Sequence, residues 1–273
     1  MVYALSASST SISFRKELHS RRFRRKRFVS IRVCASASLP DNINGLKVEY
    51  TPWLVAGLGN PGNKYCGTRH NVGFEMIDRI SEEEGVVMNI VQSKCLIGIG
   101  SIGEVPVLLA KPQTYMNFCG ESVGALAAYY QVPLRHILLV YDEMSLPNGV
   151  LRLQPKAGHG YHNGVKSVMA HLDGRREFPR LCIGWFSAPF RSISPLLSPV
   201  CFCLTRVFAG IGNPPGTMEM KAFLLQKFSS LERQQIDVAL EQGVEAVRNL
   251  VLNGFDQSIE RFNLGQKYKF HKV

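Results

Sequence analysis

Apolar residues along the body of the chain occur at two alternating spacings, which predict strands and helices in turn. Short continuous apolar runs are typical of strands buried in a parallel sheet, and they predict strands at 53–58, 137–141, 149–154 and 180–184. The runs at 96–102 and 105–111 flank Gly103-Glu104 and predict a hairpin. Apolar residues three to four positions apart predict helices over 71–84, 122–130, 163–172, 217–228 and 231–253. The alternation predicts the α/β fold class, as a single three-layer domain around a mostly parallel, twisted mixed sheet.

The first 45 residues differ in composition from this body. Residues 1–38 are rich in Ser and Arg, include a basic run at 21–27 and hold Glu17 as their one acidic residue. This composition is typical of an organelle transit peptide, and the sequence around Cys34 resembles a plastid processing site. A nuclear-localisation patch or an RNA-binding arm is the alternative. We therefore predict a transit peptide and linker over 1–45, a folded domain over 46–273, and a location in the chloroplast stroma, with the mitochondrion as the alternative.

The net charge of +11 points to a nucleic-acid partner, but most of it lies in 1–34 and 185–210. The rest of the chain is nearly neutral, so contact with RNA requires a local basic patch. No apolar run approaches the roughly 18 residues of a membrane span, and we expect no membrane association. The seven cysteines include no CxxC pair, which indicates neither a metal site nor a disulfide framework and favours a reducing compartment.

Four polar clusters follow predicted strand ends or lie in glycine-rich loops, at 57–73, 111–117, 141–147 and 158–164. Ligands of α/β sheets bind at the carboxyl ends of strands, where such clusters meet. Together they supply a histidine, a carboxylate and several carboxamides. Such a set suits the activation of water, with the histidine as base, the carboxylate as its orienting partner and the amides around the developing oxyanion. The sequence has no Walker motif.

The clusters contain the motifs GLGNPG, TRHN, KPQTYMN, DEMSLPNG and GHGYHNG, in that order. In this order and spacing they resemble the bacterial-type peptidyl-tRNA hydrolase family, over 52–184 and 211–273. The resemblance implies the fold of that family and hydrolysis of the ester bond between a peptide and tRNA, without a metal or a cofactor. It also implies peptidyl-tRNA as the partner, and we expect a monomer.

The resemblance implies roles for seven residues. By their matches to the motifs, His70 would be the general base, Asp142 would orient His70, and Asn60 would read the acylated amino end of the peptide. Four further residues would bind the substrate or the 3′ end of the tRNA: Tyr65, Tyr115, Asn117 and Asn163.

The last cluster departs from the family pattern. Ala157 and Tyr161 stand where the family usually has glycine, a residue that often marks a positive φ angle or a close backbone approach. Of the two histidines in this loop, we expect His159 or His162 to support Asn163 rather than to bind a metal, because no third ligand is suitably spaced.

Residues 185–210 have no counterpart in the family. The family pattern runs from Arg-Leu-x-Ile-Gly directly into Ile-Gly-x-Pro, and here that junction is split between Gly184 and Ile211. The insert has no acidic residue and ends in Phe-Ala-Gly, which a pyrimidine-rich splice acceptor can encode. We interpret it as a translated retained intron, with a lineage-specific functional loop as the alternative. We expect it to interrupt a central strand just after 181–183.

The family has a second function in plastids. Some plant relatives act as group II intron splicing facilitators, which bind intron RNA and a partner protein instead of hydrolysing peptidyl-tRNA. Such relatives can keep much of the site, so the motifs separate the two functions poorly. Recycling of tRNA from peptidyl-tRNA in the plastid is the first hypothesis, and splicing facilitation is the alternative.

Deletion of 185–210 is expected to raise both the solubility and the melting temperature. Closing a loop of this length costs a few kcal/mol at most, whereas the insert exposes Phe, Leu and Trp side chains and disturbs strand pairing. Calorimetric melting of the chain with and without these residues measures the effect. Equal melting temperatures would contradict the prediction.

Overall fold

The computed structural model describes residues 51–186 and 218–269. The predicted transit peptide, the linker to residue 50 and residues 187–210 of the predicted insert lie outside the described residues. Within those residues the strands are β1 (Trp53–Gly57), β2 (Met88–Gln92), β3 (Cys95–Ile102), β4 (Val105–Pro112), β5 (Ile137–Pro147), β6 (Leu151–Gln154) and β7 (Arg180–Phe186). The α-helices are α1 (Val72–Glu83), α2 (Cys119–Tyr129), α3 (Asn163–His171), α4 (Met220–Leu224), α5 (Ser230–Asn253) and α6 (Gln257–Lys267).

The strands form one mixed sheet in the order β2-β3-β4-β1-β5-β7-β6. Its centre is parallel, because β1 pairs with β4 and β5, and β5 pairs with β7, all in the parallel sense. The outer pairs β2–β3, β3–β4 and β6–β7 are antiparallel. The predicted α/β class and mixed sheet are confirmed. None of the described helices has the length and apolarity needed to cross a membrane.

Alternate residues of the central strands enter two separate cores, one on each face of the sheet. In β1, Trp53 and Val55 pack with the apolar sides of α1 and α5, whereas Leu54 and Ala56 pack with α2 and α3. This period-two division, along a strand that is buried throughout, is the pattern of a sheet covered by helices on both sides. It produces the predicted three layers.

Three elements differ from the hydrophobic pattern. Strand β2 lies at the sheet edge with most of its residues exposed or half-buried, so it lacks the apolar run that would predict it. Helix α4 covers five residues of the predicted 217–228 helix. Helix α6 is not predicted because polar groups hold it in place. Asn263 and Gln266 accept hydrogen bonds at 2.9 and 3.1 Å from backbone N–H groups of the edge strand β6.

Strand β7 corrects the predicted effect of the insert. The strand does not stop at Gly184 but continues through Trp185 and Phe186, and Pro147 of β5 still pairs with Phe186. Trp185 is only 1% exposed. The expectations that the strand is interrupted directly after 181–183 and that the insert exposes its tryptophan are therefore wrong. The first two residues of the predicted insert are part of the sheet.

Two glycines allow α1 to approach the end of β1 closely. A Cβ atom on Gly57 would lie 2.3 Å from the carbonyl oxygen of Gly73, and one on Gly73 would lie 2.5 Å from that of Leu58 and 2.6 Å from that of Val140. All of these neighbours are backbone atoms, which cannot move aside as a flexible side chain can. The contact places the turn before α1, which holds His70, directly above β1 and β5.

Substitution Gly73→Ala is expected to destabilise the protein by about 1–3 kcal/mol, as overpacking of a tight backbone contact does, and to weaken the contact between His70 and the sheet. Substitution Gly265→Ala is the matched control, because Gly265 is also helical but has open space around it. The control should stabilise the protein by up to about 1 kcal/mol through helix propensity. Urea unfolding of both variants measures the two effects, and a neutral Gly73→Ala would refute the packing argument.

Candidate active site

Side chains from five segments of the chain meet at the carboxyl end of the parallel strands. The segments are the loop after β1, the turn before α1, the loop after β4, strand β5 and the loop before α3. Three of the residues implied by the family resemblance, His70, Asp142 and Asn60, lie among them.

The Asp142 carboxylate is the centre of the site. Its oxygen Oδ1 lies 2.9 Å from Nδ1 of His70 and 2.9 Å from Nε2 of His162. Its oxygen Oδ2 accepts a hydrogen bond from the indole Nε1 of Trp185 at 3.2 Å. The carboxylate is almost fully buried, with 3% of the side chain exposed. A buried carboxylate with this many donors is held in one orientation.

The hydrogen-bond partners determine which nitrogen of each imidazole carries the proton. Nδ1 of His162 accepts the backbone N–H of Val165 at 3.2 Å and so caps α3. The proton of a neutral His162 therefore lies on Nε2, which donates to Asp142. His70 donates to Asp142 through Nδ1, so its Nε2 keeps a free lone pair. Of the two rings, His70 is thus the one that can accept a proton without losing a hydrogen bond.

The two partners shift each other's pKa. Burial of the His70 imidazole lowers its pKa, but the charge and hydrogen bond of Asp142 outweigh burial and leave that pKa above its ordinary value of 6.5. Burial raises the pKa of Asp142, but His70 and His162 outweigh it and hold that pKa well below its ordinary range. Asp142 therefore stays ionised, and His70 is a stronger base than a free imidazole.

Asn60 is positioned by two partners. Asn71 accepts the Asn60 backbone N–H at 2.9 Å and donates to the Asn60 carbonyl at 2.8 Å. The side-chain Oδ1 of Asn60 accepts the backbone N–H of Met116 at 2.9 Å, which links the loops after β1 and β4. This bond assigns the amide orientation, so the group left without a partner among the described residues is the donor Nδ2.

The remaining predicted residues lie at the surface. Tyr65 and Tyr115 form an edge-to-face pair with ring centroids 6.4 Å apart, and Tyr115 is exposed. Asn117 lies in the 3-10 turn before α2 and Asn163 is the first residue of α3, and both side chains are exposed. No hydrogen bond joins these two asparagines to the His70–Asp142 pair within the described residues.

The loop before α3 holds Tyr161 and the two histidines His159 and His162. Tyr161 adopts a φ of 61°, so the position where the family usually has glycine does require the left-handed region. Its ring is 83% exposed. The expected support of Asn163 by one of the two histidines is wrong, since His162 bonds to Asp142 and His159 accepts the N–H of Tyr161.

Sequence reasoning also missed Arg69, which ties the turn of His70 to the segment that follows the insert. Its guanidinium donates to the carbonyl of Lys227 at 2.9 Å and to Oε2 of Glu232 at 2.8 Å. It also lies 4.2 Å from the ring centroid of Phe223. A Ser-x-x-Glu capping box at 229–232, visible in the sequence, marks the start of α5 but does not reveal this contact.

The three residues at the centre also have the composition of a metal site. The ligand-type atoms of His70, Asp142 and His162 all lie within 4.8 Å of one another. In the observed arrangement, however, the imidazole nitrogens that face Asp142 are hydrogen-bond donors, and a nitrogen that carries a proton offers no lone pair to a metal. The proton on Nδ1 of His70 and the proton on Nε2 of His162 therefore bond to Asp142 at the place where a metal ion would bind.

The three buried thiols of the described residues are poor nucleophile candidates. Burial raises the pKa of Cys95, Cys119 and Cys182 to about 12. A thiol with such a pKa stays protonated at physiological pH and reacts slowly. The chemistry that the described residues support best is therefore deprotonation of water by His70.

Comparisons with known proteins give one consistent family. The sequence model of the family described as peptidyl-tRNA hydrolase matches residues 54–192 and 189–271. The two matched segments meet within the predicted insert. A crystal structure of peptidyl-tRNA hydrolase from Acinetobacter baumannii is 30% identical, has a TM-score of 0.64, and covers 78% of this chain and 95% of that one.

The relatives carry two different functional names. The chloroplastic group IIB intron splicing facilitator CRS2-B of Arabidopsis thaliana is 66% identical over 92% of each chain. The chloroplastic peptidyl-tRNA hydrolase of the same plant is 42% identical over 94% of this chain and 78% of that protein. A mitochondrial peptidyl-tRNA hydrolase of Oryza sativa is 46% identical over 79% of this chain and 76% of that protein. The chloroplastic relatives confirm the predicted location.

Substitution Asp142→Asn is expected to reduce stability most at mildly acidic pH. The raised pKa of His70 adds stability that is complete below pH 6.5 and lost as pH rises through the folded-state pKa. The lowered pKa of Asp142 adds stability that is complete above its ordinary pKa of 3.8 and lost in acid. The difference in unfolding free energy from the unmodified protein should therefore be larger at about pH 5.5 than at about pH 9.

Urea unfolding of both proteins at the two pH values measures this difference. Substitution Asp173→Asn is the control, because that exposed carboxylate lies in a left-handed turn that Asn also tolerates. An equal loss for Asp142→Asn at both pH values would show that His70 and Asp142 are not electrostatically coupled.

Proposed function

Because this chain belongs to the peptidyl-tRNA hydrolase family, we propose that its site hydrolyses the ester bond that joins a peptide to the 3′ end of tRNA. The observation that carries the proposal is the assignment of protons at the His70–Asp142 pair. Nδ1 of His70 is committed to Asp142, and Nε2 is a free base with a raised pKa. Such a nitrogen suits general-base activation of water.

The reaction follows from this geometry. Nε2 of His70 accepts a proton from water while the oxygen attacks the ester carbonyl, and Asp142 stabilises the imidazolium that forms. The tetrahedral intermediate then collapses, the bond to the ribose oxygen breaks, and the imidazolium returns its proton to that leaving oxygen. The products are tRNA with a 3′-terminal hydroxyl and a peptide carboxylic acid, which releases its proton to solvent as the carboxylate forms.

Asn60 takes part as a hydrogen-bond donor in this proposal. Its Nδ2 has no partner among the described residues, so this donor is available to a substrate, whereas its oxygen already accepts the Met116 N–H. Nδ2 of Asn60 can donate to a peptide carbonyl oxygen. Recognition of the amide N–H at the acylated amino end would instead require Oδ1 of Asn60 to accept a hydrogen bond. Recognition by an amide of the peptide backbone does not depend on side-chain identity, which suits a substrate of variable sequence.

The tRNA end is assigned to surface residues around this centre. The perpendicular rings of Tyr65 and Tyr115 offer faces on which an unpaired nucleobase can stack. The exposed carboxamides of Asn117 and Asn163 lie where helices α2 and α3 begin, and backbone N–H groups at a helix start attract phosphate.

Splicing facilitation in the chloroplast is the second candidate function, and a specific observation favours it. Identity is 66% to a named splicing facilitator but 42% to a named hydrolase from the same plant. A difference of this size favours intron splicing as the cellular role, whereas the site geometry favours hydrolytic chemistry. The two can coexist, because an intact catalytic site does not prevent a separate RNA-binding or protein-binding surface.

Substitution His70→Ala is expected to reduce hydrolysis of N-blocked aminoacyl-tRNA by about 100- to 10,000-fold, the usual range for loss of a general base. Substitution His171→Ala is the control, because His171 is an exposed residue at the end of α3. The assay measures release of the blocked amino acid by the full chain and by a chain lacking 185–210. Full activity of His70→Ala would refute the assignment of the base.

The same variants separate the two functions. Rescue of group IIB intron splicing in chloroplasts that lack it tests the cellular role, and His70→Ala should splice normally if only a binding surface is needed. If the unmodified chain and the chain lacking 185–210 both fail to hydrolyse the tRNA ester, the hydrolase proposal fails. Failure of the unmodified chain to rescue splicing or bind intron RNA would exclude the second function.

A further inference from the structure

Trp185 lies beside the carboxylate at the centre of the site, although neither the motifs nor the family resemblance assigns it a role. Asp142 of β5 pairs with Ile183 of β7, so the side chain two residues further along β7 lies on the same face and diagonally next to Asp142. That side chain is the indole of Trp185, whose Nε1 lies 3.2 Å from Oδ2 of Asp142.

The indole is held in this position by packing as well as by the hydrogen bond. Trp185 is 1% exposed, and its ring centroid lies 5.5 Å from that of Phe223. Phe223 is itself held in place, because the guanidinium of Arg69 lies 4.2 Å from the centroid of its ring. The indole N–H therefore has little freedom to turn away from Asp142.

We propose that Trp185 is a positioning residue for the His70–Asp142 pair, whose indole N–H occupies Oδ2 and reduces the negative charge that Asp142 presents to His70. A hydrogen bond donated to a carboxylate stabilises its negative charge. Oδ1 already accepts from His70 and His162, so Oδ2 is the oxygen at which a further donor can act without displacing either histidine.

The other charged groups around His70 do not replace this effect. From β5 the ring faces Asp142, and from the loop before α3 it faces His162, 5.1 Å away between ring centroids. Arg69, which precedes His70 in its own turn, is paired with Glu232 of α5 at 2.8 Å. Asp142 therefore dominates the proton affinity of His70, and whatever modifies that carboxylate changes the strength of the base.

This inference rests on the proposed hydrolase function for its catalytic meaning, but the interaction itself can be measured without activity. Trp185 is the first residue of the predicted insert. In a chain that lacks 185–210, Ile211 would follow Gly184 directly and occupy this position in β7. The isoleucine side chain has no N–H to donate, so His70 should have a different proton affinity in the two forms of the protein.

The test is Trp185→Phe, which keeps an aromatic ring against Phe223 and removes the N–H donor. The pKa of His70 is followed by NMR titration of the imidazole nitrogens. We expect it to rise, with a proton affinity about threefold to tenfold higher, since one pKa unit corresponds to a factor of ten. Trp53→Phe is the matched control, because Trp53 of β1 is also buried but stacks on His136, and it should leave the pKa of His70 unchanged.

Activity provides a second readout. In Trp185→Phe the acidic limb of the hydrolysis pH profile should move to higher pH while the plateau at high pH keeps its rate, which a purely structural defect would not do.

An unchanged or lower pKa of His70 in the folded variant would overturn the proposal. If Trp185→Phe does not fold, the chain lacking 185–210 supplies the same comparison. A raised pKa without hydrolysis in any form would support Trp185 and refute the proposed function instead.

Discussion

The hydrogen bonds accepted by the buried Asp142 carboxylate are the interaction on which the site depends. They join the turn before α1, the loop before α3 and the end of β7 to one residue of β5. A buried charge is stable only when donors surround it, so these segments must lie close together whenever the carboxylate is ionised. The same bonds determine the tautomers of both imidazoles and leave Nε2 of His70 as the free base.

The region around the predicted insert is more integrated than an added loop would be. Trp185 before the undescribed segment and Phe223 after it pack against each other, and Arg69 lies over Phe223 from the turn of His70. Arg69 also bonds to the backbone at Lys227 and to Glu232 at the start of α5. The two ends of the undescribed segment are therefore tied to each other and to the turn that holds His70. Changes in this region can reach the chemistry through contacts of a few ångströms.

The fold and the two candidate functions are compatible for a physical reason. Hydrolysis requires a small polar centre at the carboxyl ends of the parallel strands, and the tight contact between Gly57 and Gly73 helps to hold this centre above the sheet. RNA or protein binding requires surface side chains, which can change without disturbing that contact. A family can therefore gain a binding function and keep a catalytic geometry. Sequence identity to a named relative bears on the cellular role, whereas the geometry of the site bears on the chemistry.

The sequence by itself determined the α/β class, the hairpin, the helices on both faces and the ordered motifs that name His70, Asp142 and Asn60. The elements follow from apolar spacing and turn residues, which are local properties, whereas the three site residues follow from the resemblance of the motifs to the family. Only the tertiary structure decided that His162 bonds to Asp142, that Trp185 lies on Oδ2, that Arg69 anchors the segment after the insert, and that Asn60 presents its donor group. These contacts join residues 20 to 163 positions apart. They depend on strand register and helix packing, which no local pattern encodes.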